Sequence, residues 1–208
     1  MDNETLRQQY NKIYRYEPNK WTDELGDNDA WFMLNRLMSK PPYNVLDIGC
    51  GNGHTIKYFS ERWKTTQFTG IDISYEALKL AKKVVPNAIF LLGELEEVDI
   101  KEEFEIITLL GVAEHFDDIE RKLKYIRQFL HPRGMLYLQV PNCLEYSEIK
   151  EEGFRPSIGG NQMEWHLKKE TWNGLIINAG YAIYITRTNS RYPVRGFMWI
   201  LQIDQTSR

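Results

Sequence analysis

Val45-Leu46-Asp47-Ile48-Gly49-Cys50-Gly51-Asn52-Gly53 is the stretch whose reading decides the fold. Apolar residues run through one acid and break abruptly into glycines that alternate with small or polar residues. Buried strands of parallel sheets read as short apolar runs. Glycine tolerates positive φ and lets a ligand lie against bare backbone, so the run reads as a strand that turns into a helix at a contact loop. The helix expected from about His54 through Trp63 presents its unpaired N–H groups to whatever sits on that loop.

Spacing narrows the ligand. The dinucleotide fingerprint is G-x-G-x-x-G, whereas the glycines here stand at 49, 51 and 53. No Lys-Ser or Lys-Thr follows, so the loop is not a phosphate-cradling P-loop. A second apolar run, Phe68-Thr69-Gly70-Ile71-Asp72-Ile73-Ser74, also ends in an acid. The distance from Gly53 to Asp72 is close to the roughly 20 residues expected before a carboxylate that accepts ribose hydroxyls. Together these features imply a nucleoside ligand on a Rossmann-like sheet.

Val45–Gly53 followed by Gly70–Ser74 resembles motifs I and II of the class I S-adenosylmethionine-dependent methyltransferases, of the small-molecule, type 11/12/23-like kind. Further segments resemble the family in the same order: Leu91–Val98 after the third strand, Phe104–Phe116 with its Glu-His exit, and Leu130–Asn142 at the turn into the fifth strand. The resemblance covers about Tyr43 to Tyr184. It implies an α/β fold: a Rossmann-like, seven-stranded, mostly parallel sheet with helices on both faces and a C-terminal antiparallel hairpin. A single domain over 1–208 is expected, with residues 1–40 as an N-terminal helical lid segment and 43–208 as the core. The implied cofactor is S-adenosyl-L-methionine. By position it is held by Asp47, Gly49, Cys50 and Gly51, then Asp72 and Ile73, then Glu94 and Leu95, and finally Leu110 and His115. Asp47 is expected near the methionine ammonium, Asp72 at the ribose and Glu94 at the adenine amino group.

Bulk properties agree with an enzyme of this kind. The chain has 208 residues, 42% hydrophobic and 26% charged, which fits a globular protein with a substantial core. Its formal net charge of −3 argues against a broad nucleic-acid surface. No apolar run has the length of a membrane span, and no signal-peptide pattern opens the sequence. Two cysteines, Cys50 and Cys143, give neither a disulfide framework nor a thiolate metal site, so a reducing, cytoplasmic setting is expected.

Taken in order, Asn28-Asp29 reads as the start of a helix reaching about Met38, and Tyr10, Tyr14, Tyr16, Trp21 and Trp31 supply lid aromatics. Ser74 caps a helix to Val84. The fourth strand is expected over Glu105–Leu110, and open α/β sheets hold ligands at the C-terminal ends of such strands. His115, just beyond it, is a candidate general base. Ile119–Leu130 reads as a helix, His131-Pro132-Arg133-Gly134 as a turn and Met135–Val140 as the fifth strand. Cys143–Met163 reads as a loop lining a substrate pocket. A helix is expected over 172–179, started by Thr171 or an earlier residue; His166 resembles a histidine that precedes this helix in the family and faces the site, which makes it the second candidate for base or substrate contact. Strands are expected over Tyr181–Thr188 and Phe197–Ile203. Arg187, Arg191 and Arg195 near their connection suit an anionic group on the substrate.

Gly111 stands where some quinone-type O-methyltransferases carry an extra glutamate, so no metal site is expected. The cofactor brings an electrophilic methyl, and the protein's task is alignment of an acceptor. The expected activity is methyl transfer to a small molecule, at oxygen. The alternatives are a protein or RNA methyltransferase, or a methyltransferase-like chain that binds cofactor without chemistry. Oligomeric state stays open.

Overall fold

The computed structural model describes residues 3–19, 38, 40–142, 144, 151–157, 162–189 and 196–206, and the statements below concern these. The helix expected after Asn28-Asp29, the aromatics Trp21 and Trp31, and the arginines at 191 and 195 lie outside the described residues. The chain divides into two compact units, Met1–Phe104 and Glu105–Arg208. The larger sheet has seven strands, in the spatial order Ile89–Leu92, Gln67–Asp72, Asn44–Ile48, Phe104–Leu110, Leu130–Pro141, Gly196–Ile203 and Tyr181–Asn189, and a separate sheet pairs Gly153–Pro156 with Met163–His166.

In the first unit, α1 (Asn3–Tyr16) precedes β1 (Asn44–Ile48), α2 (His54–Arg62), β2 (Gln67–Asp72), α3 (Tyr75–Val84) and β3 (Ile89–Leu92). β1 pairs in parallel with β2, and β2 with β3, so the loops after all three strands leave from the same end. Every residue of β1 is buried, which is why its sequence shows no alternation. α3 begins where the sequence places it: the Ser74 hydroxyl accepts from the Ala77 N–H at 3.1 Å. α1 adds a second cap from outside. Asn11 Oδ1 accepts from the Ser74 hydroxyl at 2.9 Å and from the Glu76 N–H at 3.1 Å, and Arg15 meets Glu76 at 2.9 Å.

In the second unit, β4 (Phe104–Leu110), which starts on the unit boundary, leads into a single 3₁₀ turn at Ala113–His115. α4 (Ile119–Ile126) and a short 3₁₀ turn follow, then β5 (Leu130–Pro141), β6 (Gly153–Pro156), β7 (Met163–His166), α5 (Lys169–Asn178), β8 (Tyr181–Asn189) and β9 (Gly196–Ile203). β9 lies antiparallel to both β5 and β8. Trp172 and Trp199, their ring centroids 6.2 Å apart, are enclosed in this unit's core.

Three sequence expectations need correction. The turn at His131–Gly134 is extended chain within β5, because burial of Leu130, Gly134 and Leu136 outweighs local turn chemistry. The helix from Ile119 is regular only to Ile126 and tightens into the 3₁₀ turn before Leu130. The stretch over 143–163 is not all loop, since Gly153–Pro156 and Met163–His166 form a two-stranded ribbon. Trp172→Ala removes one of the largest enclosed side chains and is expected to cost about 3–5 kcal/mol. Urea unfolding checks this, and a loss near zero would show that the second unit's core is not organised around it.

Candidate functional site

The loop between β1 and α2 is built as its glycines require. Gly49, Gly51 and Gly53 have φ of 71°, 52° and 81°, in the left-handed region that other residues enter at a cost. The Gly49 and Cys50 N–H groups both donate to the Ile71 carbonyl, at 2.8 and 2.9 Å, so the loop is pinned across the end of β2. Asp72 completes the fixation. Its Oδ2 accepts from the Gly51 N–H and its Oδ1 from the Ser74 N–H, each at 2.8 Å.

Space on this loop is tightly allotted. A Cβ on Gly51 would strike the Tyr14 hydroxyl, and one on Gly53 would lie 2.9 Å from the Ala81 methyl. Tyr14, from α1, is thus a wall of the site, and its phenol is pushed up well above its ordinary pKa by burial and by the charge of Asp72. Burial likewise pushes up the Cys50 thiol. Asp47 is buried in β1 opposite Gly70. The Asp72 carboxyl is raised from 3.8 to about 6: burial disfavours its charge more than the backbone N–H groups restore it.

Asp47, Gly49, Cys50, Gly51, Asp72 and Ile73 are therefore brought together. Glu94 and Leu95 follow the glycine at the exit of β3, with Leu95 buried and the Glu94 carbonyl accepting from the Glu97 and Val98 N–H groups. Sequence reasoning named Tyr14 only among several lid aromatics. It missed Asn11 altogether, for a lone polar residue inside a helix carries no capping signal.

The second unit holds the remaining candidates. Leu110 ends β4, and the Gly111 N–H donates to the Gln139 carbonyl at 3.0 Å. His115 Nδ1 lies 2.8 Å from the Met163 carbonyl. A carbonyl only accepts, so Nδ1 carries the proton and the neutral ring keeps its lone pair on Nε2, which is 3.9 Å from Glu114 Oε1. Burial pulls the His115 pKa below 6.5, opposed by the Met163 hydrogen bond and the Glu164 charge, so the ring is neutral near pH 7. His166 is 1% exposed, with Nε2 3.2 Å from Glu164 Oε1. Neither of its ring nitrogens has hydrogen-bond geometry to a partner among the described residues. β7 thus carries both the carbonyl that meets His115 and the carboxylate beside His166. His131 takes no part; it lies in β5, where its Nδ1 accepts from the Arg133 N–H at 3.2 Å. Among the described residues no cluster of three or more His, Cys, Asp or Glu is placed to hold a metal ion. No helix among them is long and apolar enough to cross a membrane.

The chain belongs to a methyltransferase-domain family, whose pattern matches residues 10–187. It is similar to malonyl-[acyl-carrier protein] O-methyltransferase of Acetivibrio thermocellus, 25% identical over 115 residues that make up 54% of this chain and 41% of that protein. It is also similar to trans-aconitate 2-methyltransferase of Azoarcus sp., 27% identical over 127 residues, 61% of this chain and 49% of that protein. The chain thus spans about half the length of these relatives. Among solved structures, the 1,6-didemethyltoxoflavin N1-methyltransferase of Burkholderia thailandensis, bound to its acceptor and S-adenosylhomocysteine, superposes with a TM-score of 0.77 at 20% identity. The match covers 95% of this chain and 87% of that one.

The raised Asp72 pKa has a testable sign. Between pH 4 and 6 the folded chain holds a proton that the unfolded chain releases, so this group's contribution falls as pH rises through that window. The loss reaches on the order of 3 kcal/mol above it. Asp72→Asn is expected to flatten this part of the stability–pH profile, measured by urea unfolding. An unchanged slope would contradict the assignment.

Proposed function

We propose that this chain is an S-adenosylmethionine-dependent methyltransferase that acts on a small molecule, with oxygen as the favoured acceptor atom and its two units as halves of one methyltransferase domain. The observation that carries this reading is the positive-φ glycine loop with Gly51 bonded to Asp72. The residues present fit the cofactor. Bare backbone at Gly49 and Gly51 admits close approach, while the Asp72 oxygens, each already taking a backbone N–H, keep lone pairs for ribose hydroxyls.

In this reading Asp47, Gly49, Cys50 and Gly51 hold the methionine end. Asp72 and Ile73 hold the ribose, Glu94 and Leu95 the adenine, and Leu110 and His115 flank the cofactor. When bound, the cofactor supplies a methyl group made electrophilic by its sulfonium. The chain's own residues orient the acceptor, exclude water and, at His115 Nε2, take a proton. His166 is the second residue assigned to the acceptor. A small-molecule acceptor also matches the net charge of −3 and the names of the similar proteins.

Asp72→Ala is expected to weaken S-adenosylhomocysteine binding at least tenfold, about 1.4 kcal/mol, with the circular dichroism spectrum retained. Titration calorimetry decides it, and equal affinity in the folded variant would remove Asp72 from the cofactor site.

A further inference from the structure

The β6–β7 ribbon sorts its side chains by face. Successive residues of a strand point to opposite sides, so Phe154, Pro156, Met163 and Trp165 share one side and Gly153, Arg155, Glu164 and His166 the other. Glu164 and His166 are buried. The first side is apolar and reaches the surface: Phe154 and Pro156 are exposed, Met163 and Trp165 half-buried.

The Ser157 N–H donates to the Gln162 carbonyl at 2.7 Å. Alternation along the antiparallel ladder then makes Phe154–Trp165 and Pro156–Met163 non-hydrogen-bonded pairs, where side chains stand closest. The Phe154 and Trp165 rings meet there, centroids 5.1 Å apart and planes tilted by 46°. The same alternation turns the main-chain groups of Met163 and Trp165 away from β6. That outer edge of β7 is fastened to the His115 turn: the Met163 carbonyl lies 2.8 Å from His115 Nδ1, and the Trp165 indole N–H donates to the Phe116 carbonyl at 3.0 Å. The apolar side therefore runs from solvent at β6 up to the turn that carries His115, with the indole held in place.

We propose that this side of the ribbon is the acceptor platform, and that Phe154 and Trp165 bind a planar aromatic acceptor. This deepens the methyltransferase reading and rests on it. Tilted rings present a face and an edge, and a flat aromatic partner gains from both beyond the area it covers, whereas an aliphatic chain gains the area alone. An indole already held by a hydrogen bond loses little freedom when a ligand covers it. None of the four side chains is charged, so an ionised aliphatic acid would shed hydration here without meeting a counter-charge. Four side chains also fall far short of the roughly 20–30 residues a side of a stable protein interface, which favours a small occupant over a second copy of the chain.

The test follows the Trp165 indole N–H by NMR in the full chain with S-adenosylhomocysteine present, the signal assigned through Trp165→Phe. The probes are 2-naphthol, quinoline, the saturated decahydro-2-naphthol and the aliphatic acid tricarballylate. Both aromatic probes are expected to shift the Trp165 signal saturably, the saturated alcohol to bind more weakly and tricarballylate to leave it unmoved. Phe154→Ala is expected to weaken the aromatic probes about fivefold, and Phe154→Trp to keep their affinity. Should Phe154→Ala fail to fold, Phe154→Leu, which keeps bulk without a ring, is read in its place. An unmoved Trp165 signal with both aromatic probes, equal affinity in the Phe154 variant, or a stronger response to tricarballylate overturns the platform. So does a dimer in sedimentation that Phe154→Asp dissociates, which makes this side a contact between copies. Calorimetry with S-adenosylhomocysteine alone separates the two readings. No binding there sinks the methyltransferase reading itself, whereas binding without a Trp165 response to the aromatic probes sinks only the platform.

Discussion

The carboxylate of Asp72 is the constraint on which the first unit depends. Its two oxygens take the Gly51 and Ser74 N–H groups, joining the loop after β1 to the cap of α3. The same cap is held from α1 by Asn11, so three elements meet within a few bonds of one charge. Burying that charge is unfavourable, as the pKa near 6 shows. Stability alone does not explain placing it there. A carboxylate that still has lone pairs, beside backbone without side chains, is an arrangement suited to a polyhydroxylated ligand.

The second unit uses the same device with different chemistry. A backbone carbonyl, that of Met163, fixes which nitrogen of His115 carries the proton, and burial keeps the ring neutral. The ribbon that provides this carbonyl also delivers Glu164 and His166. The His115 ring thereby acquires its orientation and tautomer from one backbone carbonyl of the ribbon.

Much of this was legible in the chain. The Val45–Gly53 run announces its strand and turn because only glycine serves three alternating left-handed positions, and Ser74 announces a cap because its hydroxyl can take the Ala77 N–H. His115 was legible as a candidate from its place beyond the fourth strand and His166 through family resemblance, but not the ribbon that meets the one and carries the other. The ribbon escaped notice because two four-residue strands, broken by glycine and proline, show too few alternations to stand out from a loop. The extended path through His131–Gly134 escaped it for the opposite reason: strong turn signals are overridden by burial along β5. Tyr14 could be named as an aromatic, yet its place over Gly51 depends on how α1 docks on α3, which no local pattern encodes.

The most direct measurement is thermal unfolding of the full chain with S-adenosylhomocysteine and, separately, with NAD, each at comparable excess. A ligand present at about 100 times its dissociation constant adds roughly 2.7 kcal/mol to stability. The account predicts a clear upward shift of Tm with S-adenosylhomocysteine and none with NAD. Stabilisation by NAD but not by S-adenosylhomocysteine would contradict it, for then the glycine loop and Asp72 would serve a different nucleoside.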